Sequence, residues 1–355
     1  MMSGSAISCS IFFAAFVALV SYAFTFLSSA FAMDARAVDT PLGGRKIHPR
    51  PTPLWGGLGI VLAIVCALTA SVVLGFLPAR GVNFLQLAGF VAGILILLLG
   101  GMIDDRHPLP PFLQILFPIA AAIVVIASGI GIVHITNPTT HLGYSLVWQK
   151  IGAVSLPADL ITFAWLLLAT YAMKLLDGLD GLVSGMVVIG TGLVGALSVS
   201  PSYFQPAVAM MSAIVGGAYL GFLPRNVYPA QQFLGESGAT IAGFSLGVLA
   251  ILSSAKIAIA LAVLAIPITD IALVVIGRIR RDDPWHRGDT SHLHFKLLLM
   301  GLSPRLAVFL LWGISLSAGL IALTLQTKGK IFLIVTLVLF TALLSYAAGL
   351  TKRRT

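Results

Sequence analysis

The sequence predicts an all-α fold in a polytopic integral membrane protein. Hydrophobic residues make up 58 % of the 355 residues and charged residues only 9 %, whereas a soluble domain usually carries about 25 % charged residues. The apolar residues come in runs of about 20 and do not alternate, which favours membrane helices over a β-barrel. This composition excludes a soluble globular protein and also a disordered chain.

The apolar runs predict 10–11 membrane spans, because about 20 apolar residues are needed to cross the hydrocarbon core and the run at 239–253 is short. The predicted spans are 7–32, 55–77, 85–103, 112–132, 159–176, 182–199, 206–223, 239–253, 257–277, 305–325 and 331–350. No separate soluble domain is left, so residues 1–355 form a single transmembrane domain. The connection 133–158 is rich in β-branched and aromatic residues and predicts a small external β-hairpin.

The charged residues predict the orientation. If the connection 33–54 lies in the cytosol and the spans alternate, most of the 21 Lys and Arg residues become cytosolic, in agreement with the positive-inside rule. Of the 12 acids, all but Asp159 fall on the same side, which that rule does not predict. We therefore predict a cell-membrane protein with its N-terminus outside and its C-terminus and a polar site in the cytosol. The net charge of +9 then follows largely from topology and requires no nucleic acid partner.

The predicted cytosolic loops lie near 33–54, 104–111, 177–181, 224–238 and 278–304, and three of them place acids beside the predicted end of a span. These acids are Asp104, Asp105, Asp177, Asp180 and Glu236. Asp180 could instead cap the next helix, and Glu236 could be a favourable acid at a helix N-terminus. An acid at a helix C-terminus, however, faces the negative end of the dipole. Clustered carboxylates repel one another, and a divalent cation relieves this repulsion. The absence of Cys among them favours Mg²⁺, with Mn²⁺ as the alternative, over zinc.

Basic residues and histidines occupy two of the same loops. Lys46 and His48 lie in a proline-rich loop, and the segment 278–294 combines four arginines with His292 and His294. Such side chains hold phosphate oxygens. The simpler alternatives are a positive-inside loop and packing histidines, since residues two apart do not share a helix face. Carboxylates, bases and a membrane location together indicate phosphoryl transfer to a lipid, and no Walker A loop is present.

Five short motifs in order resemble the polyprenyl-phosphate N-acetylhexosamine-1-phosphate transferase family, the MraY, WecA and TagO proteins of glycosyltransferase family 4. The resemblance covers about residues 33–304. The blocks that carry it are Arg45-Lys46-Ile47-His48, Asp104-Asp105-Arg106, Asp177-Gly-Leu-Asp180-Gly-Leu, Phe222-Leu-Pro-Arg-Asn226 with Gly235-Glu-Ser-Gly238, and Ser291-His-Leu-His294. The last block is more similar to the WecA/TagO branch than to MraY, which carries a triple-histidine element.

The resemblance implies the transfer of N-acetylhexosamine-1-phosphate, with UDP-N-acetylglucosamine (UDP-GlcNAc) as the favoured donor, to undecaprenyl or another polyprenyl phosphate. UMP is released, and the product is a polyprenyl-diphospho-sugar for cell-envelope glycan synthesis. The implied catalytic residues are Asp104, Asp105 and Asp177, and the implied magnesium ligands are Glu236 and Asp177. The implied substrate-binding residues are Lys46, His48, Lys174, Asp180, Arg281, His292 and His294.

Two positions depart from the family pattern. Lys174 stands where the family usually has Asn, which bears on nucleotide recognition or on local charge balance. Glu236 stands where the family usually has Asp, which keeps the charge but changes the reach of the carboxylate. The alternatives are an MraY-type phospho-MurNAc-pentapeptide transferase, an inactive family member, and a membrane transporter marked by intramembrane acids such as Asp270. The oligomeric state stays open, with a homodimer as one option.

Overall fold

A computed structural model describes residues 2–41, 50–79, 81–137, 142–152, 154–253, 257–280 and 292–351. Within these residues the chain is mainly helical. The helices are α1 (Met2–Asp34), α2 (Gly56–Val73), α3 (Phe84–Arg106), α4 (Pro111–Gln114), α5 (Leu116–Ala127), α6 (Ala158–Leu176), α7 (Leu182–Ser198), α8 (Pro206–Asn226), α9 (Gly235–Leu252), α10 (Ile257–Ile279), α11 (Leu293–Leu299), α12 (Pro304–Thr324) and α13 (Thr327–Thr351). A 3₁₀ turn covers Pro201–Tyr203.

The all-α membrane fold is confirmed. Nine of the described helices are long and apolar enough to cross a membrane, and two shorter apolar helical segments, Pro111–Ala127 and Leu182–Ser198, complete the predicted set. The predicted span 112–132 differs most, because it is broken after Gln114 and ends at Ala127. Two short helices were not predicted: α4, which precedes this break, and α11, which lies within the connection 278–304.

Helix α9 forms the centre of the bundle. It packs against α3 and α6 and also touches α2, α7, α8 and α10. Every residue of α9 is buried except Glu236. A helix that is apolar on all sides belongs inside a larger assembly of helices, so the single partly exposed position, a glutamate, marks the place where α9 meets a polar site.

The predicted alternation of the spans brings the acidic loops to one end of the bundle, here called the site end. The C-terminus of α3, the C-terminus of α6 and the N-terminus of α9 all meet there. A short antiparallel pair, β1 (Val38–Asp39) with β2 (Thr52–Pro53), joins α1 to α2 at the same end. The assignment of this end to the cytosol stays a prediction.

The opposite end carries the predicted β-structure, as two antiparallel pairs where one hairpin was expected. Strand β3 (His134–Thr136) pairs with β4 (Gly143–Ser145), and β5 (Val147–Ile151) pairs with β6 (Val154–Pro157). Helix α6 then starts, and Asp159 in its first turn accepts a hydrogen bond from the Ser155 amide at 2.7 Å. The one acid predicted to lie away from the others thus stabilises a helix entry.

Candidate active site

A cleft of about 840 Å³ opens at the site end. All five predicted carboxylates line it, together with Lys174. We call these five acids, Asp104, Asp105, Asp177, Asp180 and Glu236, the carboxylate cluster. The remaining wall comes from β2 and the residues before it, the α8–α9 connection and the start of α12.

Asp105 joins the end of α3 to the start of α9. Its Oδ1 accepts a hydrogen bond from the Glu236 backbone N–H at 2.8 Å and so caps α9 from a neighbouring helix. Its Oδ2 is buried and has no hydrogen-bond partner among the described residues. Gly235 makes this approach possible, because its φ is +71° and a Cβ there would collide with Asp105 Oδ2.

Asp104 holds the link between α3 and α4. Its Oδ1 accepts hydrogen bonds from the Leu109 backbone N–H at 2.6 Å and from Gln114 Nε2 at 3.1 Å. The same Gln114 amide group donates to the Leu109 carbonyl at 2.9 Å. Gln114 was not among the predicted site residues, since a neutral amide within an apolar stretch gives no charge signal.

Lys174 places a cation inside the carboxylate cluster. Its Nζ lies 2.5 Å from Glu236 Oε1 and donates to Gln114 Oε1 at 2.9 Å. The ammonium also lies 5.5 Å from the ring centroid of Tyr171, within cation–π distance. The two positions that depart from the family pattern are therefore in direct contact with each other.

Asp177 and Asp180 occupy the turn after α6. Asp177 is the C-cap residue of α6 and is exposed at the cleft. Partial desolvation by the surrounding protein, with the negative charges of Glu236 and Asp180, raises the pKa of Asp177 to about 7. Asp180 does not cap α7, which has Gly181 at its N-cap; instead its Oδ2 accepts a hydrogen bond from the Ala230 N–H at 2.9 Å.

His292 and His294 are buried beside the cleft and do not line it among the described residues. Asp270 accepts hydrogen bonds from His292 Nδ1 through Oδ2 and from the Leu293 N–H through Oδ1, both at 2.8 Å. The His292 and His294 rings are nearly parallel, with centroids 5.7 Å apart. We call Asp270, His292 and His294 the histidine cluster.

His294 lies directly behind the turn that carries Asp177. A Cβ at Gly178 would collide with His294 Nε2, so the turn and the imidazole are in close contact. Both ring nitrogens of His294 are buried and lack a hydrogen-bond partner in the described part of the chain. Desolvation, opposed by the charge of Asp270 and assisted by His292, lowers the pKa of His294 to about 4, so the ring is neutral near pH 7.

Three predicted site residues, Lys46, His48 and Arg281, lie outside the described residues. Their roles stay predictions, as do the substrate contacts assigned to His292 and His294. Arg50 and Asp39 line the cleft although they were not proposed as site residues. Arg50 lies in the predicted cytosolic loop 33–54, two residues after His48, and this position was the signal that could have identified it.

The donor set fits a hard divalent cation that also binds substrate oxygens. The described residues contain no group of three His, Cys, Asp or Glu side chains placed to hold a metal by themselves. Mg²⁺ commonly uses only one or two carboxylates and completes its shell with water and phosphate. Carboxylates outnumber the cationic side chains that line the described part of the cleft, and Asp105 Oδ2 has no hydrogen-bond partner among the described residues.

Comparison with known proteins gives one family and several relatives. Residues 87–254 match glycosyl transferase family 4. A Bacillus subtilis protein named "Probable undecaprenyl-phosphate N-acetylglucosaminyl 1-phosphate transferase" is 28 % identical over 332 residues, which cover 91 % of this chain and 87 % of that protein. A Mycolicibacterium smegmatis "Decaprenyl-phosphate N-acetylglucosaminephosphotransferase" is 30 % identical over 78 % of this chain and 72 % of that protein. A "Phospho-N-acetylmuramoyl-pentapeptide-transferase" of Halalkalibacterium halodurans is 28 % identical over 80 % of this chain and 86 % of that protein.

Proposed function

The chain belongs to glycosyl transferase family 4, and we propose that it transfers N-acetylglucosamine-1-phosphate from UDP-GlcNAc to a polyprenyl phosphate and releases UMP. The names of the relatives support the sugar and the lipid class. The observation that carries the proposal is the meeting of Asp105, Asp177 and Glu236 in one cleft at the end of a membrane bundle. A lipid phosphate and a soluble nucleotide can both reach such a cleft.

The proposed reaction is an attack of a lipid phosphate oxygen on the β-phosphorus of the donor. A new P–O bond forms, the bond from that phosphorus to the bridging oxygen breaks, and UMP leaves. Asp104, with Asp105 beside it, orients the lipid phosphate and accepts its proton when the phosphate arrives protonated. Asp104 is suited to this role because Leu109 and Gln114 fix its carboxylate. Positioning of this kind accounts for most of the catalysis in phosphoryl transfer.

Glu236 and Asp177 are the proposed protein ligands of Mg²⁺, with Mn²⁺ as a substitute. A bound divalent ion would neutralise the donor diphosphate and the leaving UMP. The Asp105 hydrogen bond to the Glu236 backbone fixes the start of α9 and so the position of the Glu236 side chain. Asp180, on the same turn as Asp177, holds the α8–α9 connection through Ala230 and lies on the proposed nucleotide side.

The proposed setting is the cell membrane, with the cleft in the cytosol, where nucleotide sugars are found. Most basic residues of the sequence then lie on the cytosolic side, as the positive-inside rule requires. Accessibility of single cysteines to an impermeant thiol reagent in intact cells tests this orientation. Cysteines placed between β3 and β4 should be labelled, and cysteines placed in the α8–α9 connection should be protected.

The decisive assay is UMP release by the purified protein in detergent with Mg²⁺, UDP-GlcNAc and undecaprenyl phosphate. We expect release that requires both substrates and stops with EDTA.

A Glu236→Ala variant with full activity would remove Glu236 as the metal ligand, and an Asp104→Asn variant with full activity would remove the proton-transfer role of Asp104. Release with UDP-MurNAc-pentapeptide and not with UDP-GlcNAc would favour the muramoyl-pentapeptide activity named for a more distant relative. If no UDP-sugar supports UMP release, a membrane transporter or an inactive family member becomes the favoured interpretation.

A further inference from the structure

Lys174 is held in the cleft from two sides. Its ammonium contacts Glu236 Oε1 and donates to Gln114 Oε1, and its side chain is only 14 % exposed. Glu236 is 22 % exposed, so the pair is partly shielded from water. A lysine at the solvent surface would lose side-chain entropy for little gain in such a pair, whereas this lysine is fixed where several acids converge.

Gln114 connects this pair to the other side of the cleft. Its carbonyl oxygen accepts from Lys174, and its amide nitrogen donates to Asp104 and to the Leu109 carbonyl. The amide can form all three bonds only in this orientation, because Lys174 has donors alone and an ionised Asp104 has acceptors alone. The chain Asp104–Gln114–Lys174–Glu236 therefore spans α3, α4, α6 and α9 and fixes the place of the ammonium.

The ammonium lies against an oxygen atom that a metal ion bound to Glu236 would use. Glu236 Oε1 is a proposed ligand oxygen, and the Lys174 charge already lies against it. A divalent cation at the same oxygen would repel the ammonium strongly in a partly shielded site. Either the metal binds weakly, or the ammonium leaves Glu236 when the metal arrives.

We propose that Lys174 is a built-in counter-cation of Glu236, which competes with the divalent metal and leaves Glu236 when the metal and the donor diphosphate bind. This inference rests on the proposed function, since it assumes that Glu236 is a metal ligand. It accounts for both departures from the family pattern at once. The added positive charge at 174 and the longer acid at 236 form one ion pair, with Gln114 as the second anchor of the lysine.

The test measures metal affinity without substrates. Mn²⁺ is titrated into the full-length protein in detergent, and free Mn²⁺ is followed by electron paramagnetic resonance. Lys174→Gln removes the charge but keeps a polar group between Glu236 and Gln114, and Lys174→Met is a second neutral variant. We expect both to bind Mn²⁺ at least tenfold more tightly than the wild type. The matched control Lys174→Arg, which keeps the charge, should stay within about threefold of the wild type.

Two further results separate this inference from the proposed function. The double variant Lys174→Gln/Glu236→Gln should lose the gain, because the ligand carboxylate is gone. Unchanged or weaker Mn²⁺ binding by the neutral variants overturns the inference, and if the wild type still releases UMP the proposed function stands. If neither the wild type nor the two neutral variants bind Mn²⁺, both the metal site and the inference are overturned.

Discussion

The carboxylate cluster and the histidine cluster both contain acidic side chains, but these acids differ in how far hydrogen bonds and positive charges compensate them. In the histidine cluster a single acid, Asp270, has one oxygen on His292 and the other on the Leu293 amide. In the carboxylate cluster five acids share a cleft with Lys174, and Asp105 Oδ2 has no partner among the described residues. A buried acid with both oxygens satisfied is suited to hold structure, whereas acids in excess of their donors are suited to bind a cation.

The pKa values of the two regions sharpen this difference. The pKa of Asp177 is raised to about 7 by desolvation and by neighbouring acids, so a bound cation would stabilise its ionised form. The pKa of His294 is lowered to about 4 by desolvation, so its neutral form persists behind the turn. Near neutral pH a proton and a cation therefore compete for Asp177, whereas His294 stays uncharged and can pack against the turn.

The largest expected effect is the loss of activity on removal of an acid from the carboxylate cluster. Glu236→Ala should lower kcat for UMP release by roughly a thousandfold, the range seen when a group that stabilises the transition state is deleted. The fold should persist, because Glu236 is the one residue of α9 that is not buried. Circular dichroism of the variant controls for folding. A fall of less than tenfold would place Glu236 outside the reaction site.

The next effect concerns stability at low pH and comes from the histidine cluster. Unfolded His294 takes up a proton near pH 6.5, whereas the folded state does so only near pH 4. The unfolded state therefore binds more protons between these values, and stability falls as pH decreases through this window. The loss is about 3 kcal/mol when it is complete. Thermal unfolding of His294→Phe should depend less on pH between 6.5 and 4 than that of the wild type. An identical dependence would contradict the assignment.

A smaller effect is expected when Asp270 is replaced, and it should lower the free energy of unfolding more than it lowers activity. Asp270→Asn keeps the shape but replaces one acceptor by a donor opposite either His292 or Leu293. The cost should be about 2 kcal/mol, since a buried donor loses its partner. Thermal unfolding in detergent measures it. The Mn²⁺ affinity of the folded fraction should stay at the wild-type value, and a change there would mean that the two clusters are electrostatically coupled.

The sequence predicted the fold well because the bilayer imposes a length and a polarity on every span. The break after Gln114 was missed, since hydropathy alone does not distinguish a short helix followed by another from one continuous span. Strand pairing between 133 and 158 was anticipated from composition, but its division into two pairs was not. Composition indicates the type of element and gives little information on its partner.

The site was predictable where charge accumulates and not where side chains pair across helices. All five predicted acids line one cleft, because they are placed at helix ends that topology brings together. The contact of Lys174 with Glu236 and Gln114 joins residues more than fifty positions apart, which no local spacing reveals. The sequence marked Asp270 only as an intramembrane acid. Its hydrogen bond to His292 also joins side chains from different elements, so it could not be predicted from local spacing either.

The smallest expected effect tests the contact between the two clusters. Gly178→Ala places a methyl group against His294 Nε2 and should shift the turn that carries Asp177. UMP release should fall about tenfold, because small displacements of positioning groups lower the rate. Truncation of the opposing ring in Gly178→Ala/His294→Ala should restore part of this loss, and the double-mutant cycle measures the coupling. If His294→Ala alone abolishes activity in a stably folded protein and the double variant is not rescued, His294 acts on the substrate, as the sequence motif suggested, and the histidine cluster is more than a packing surface.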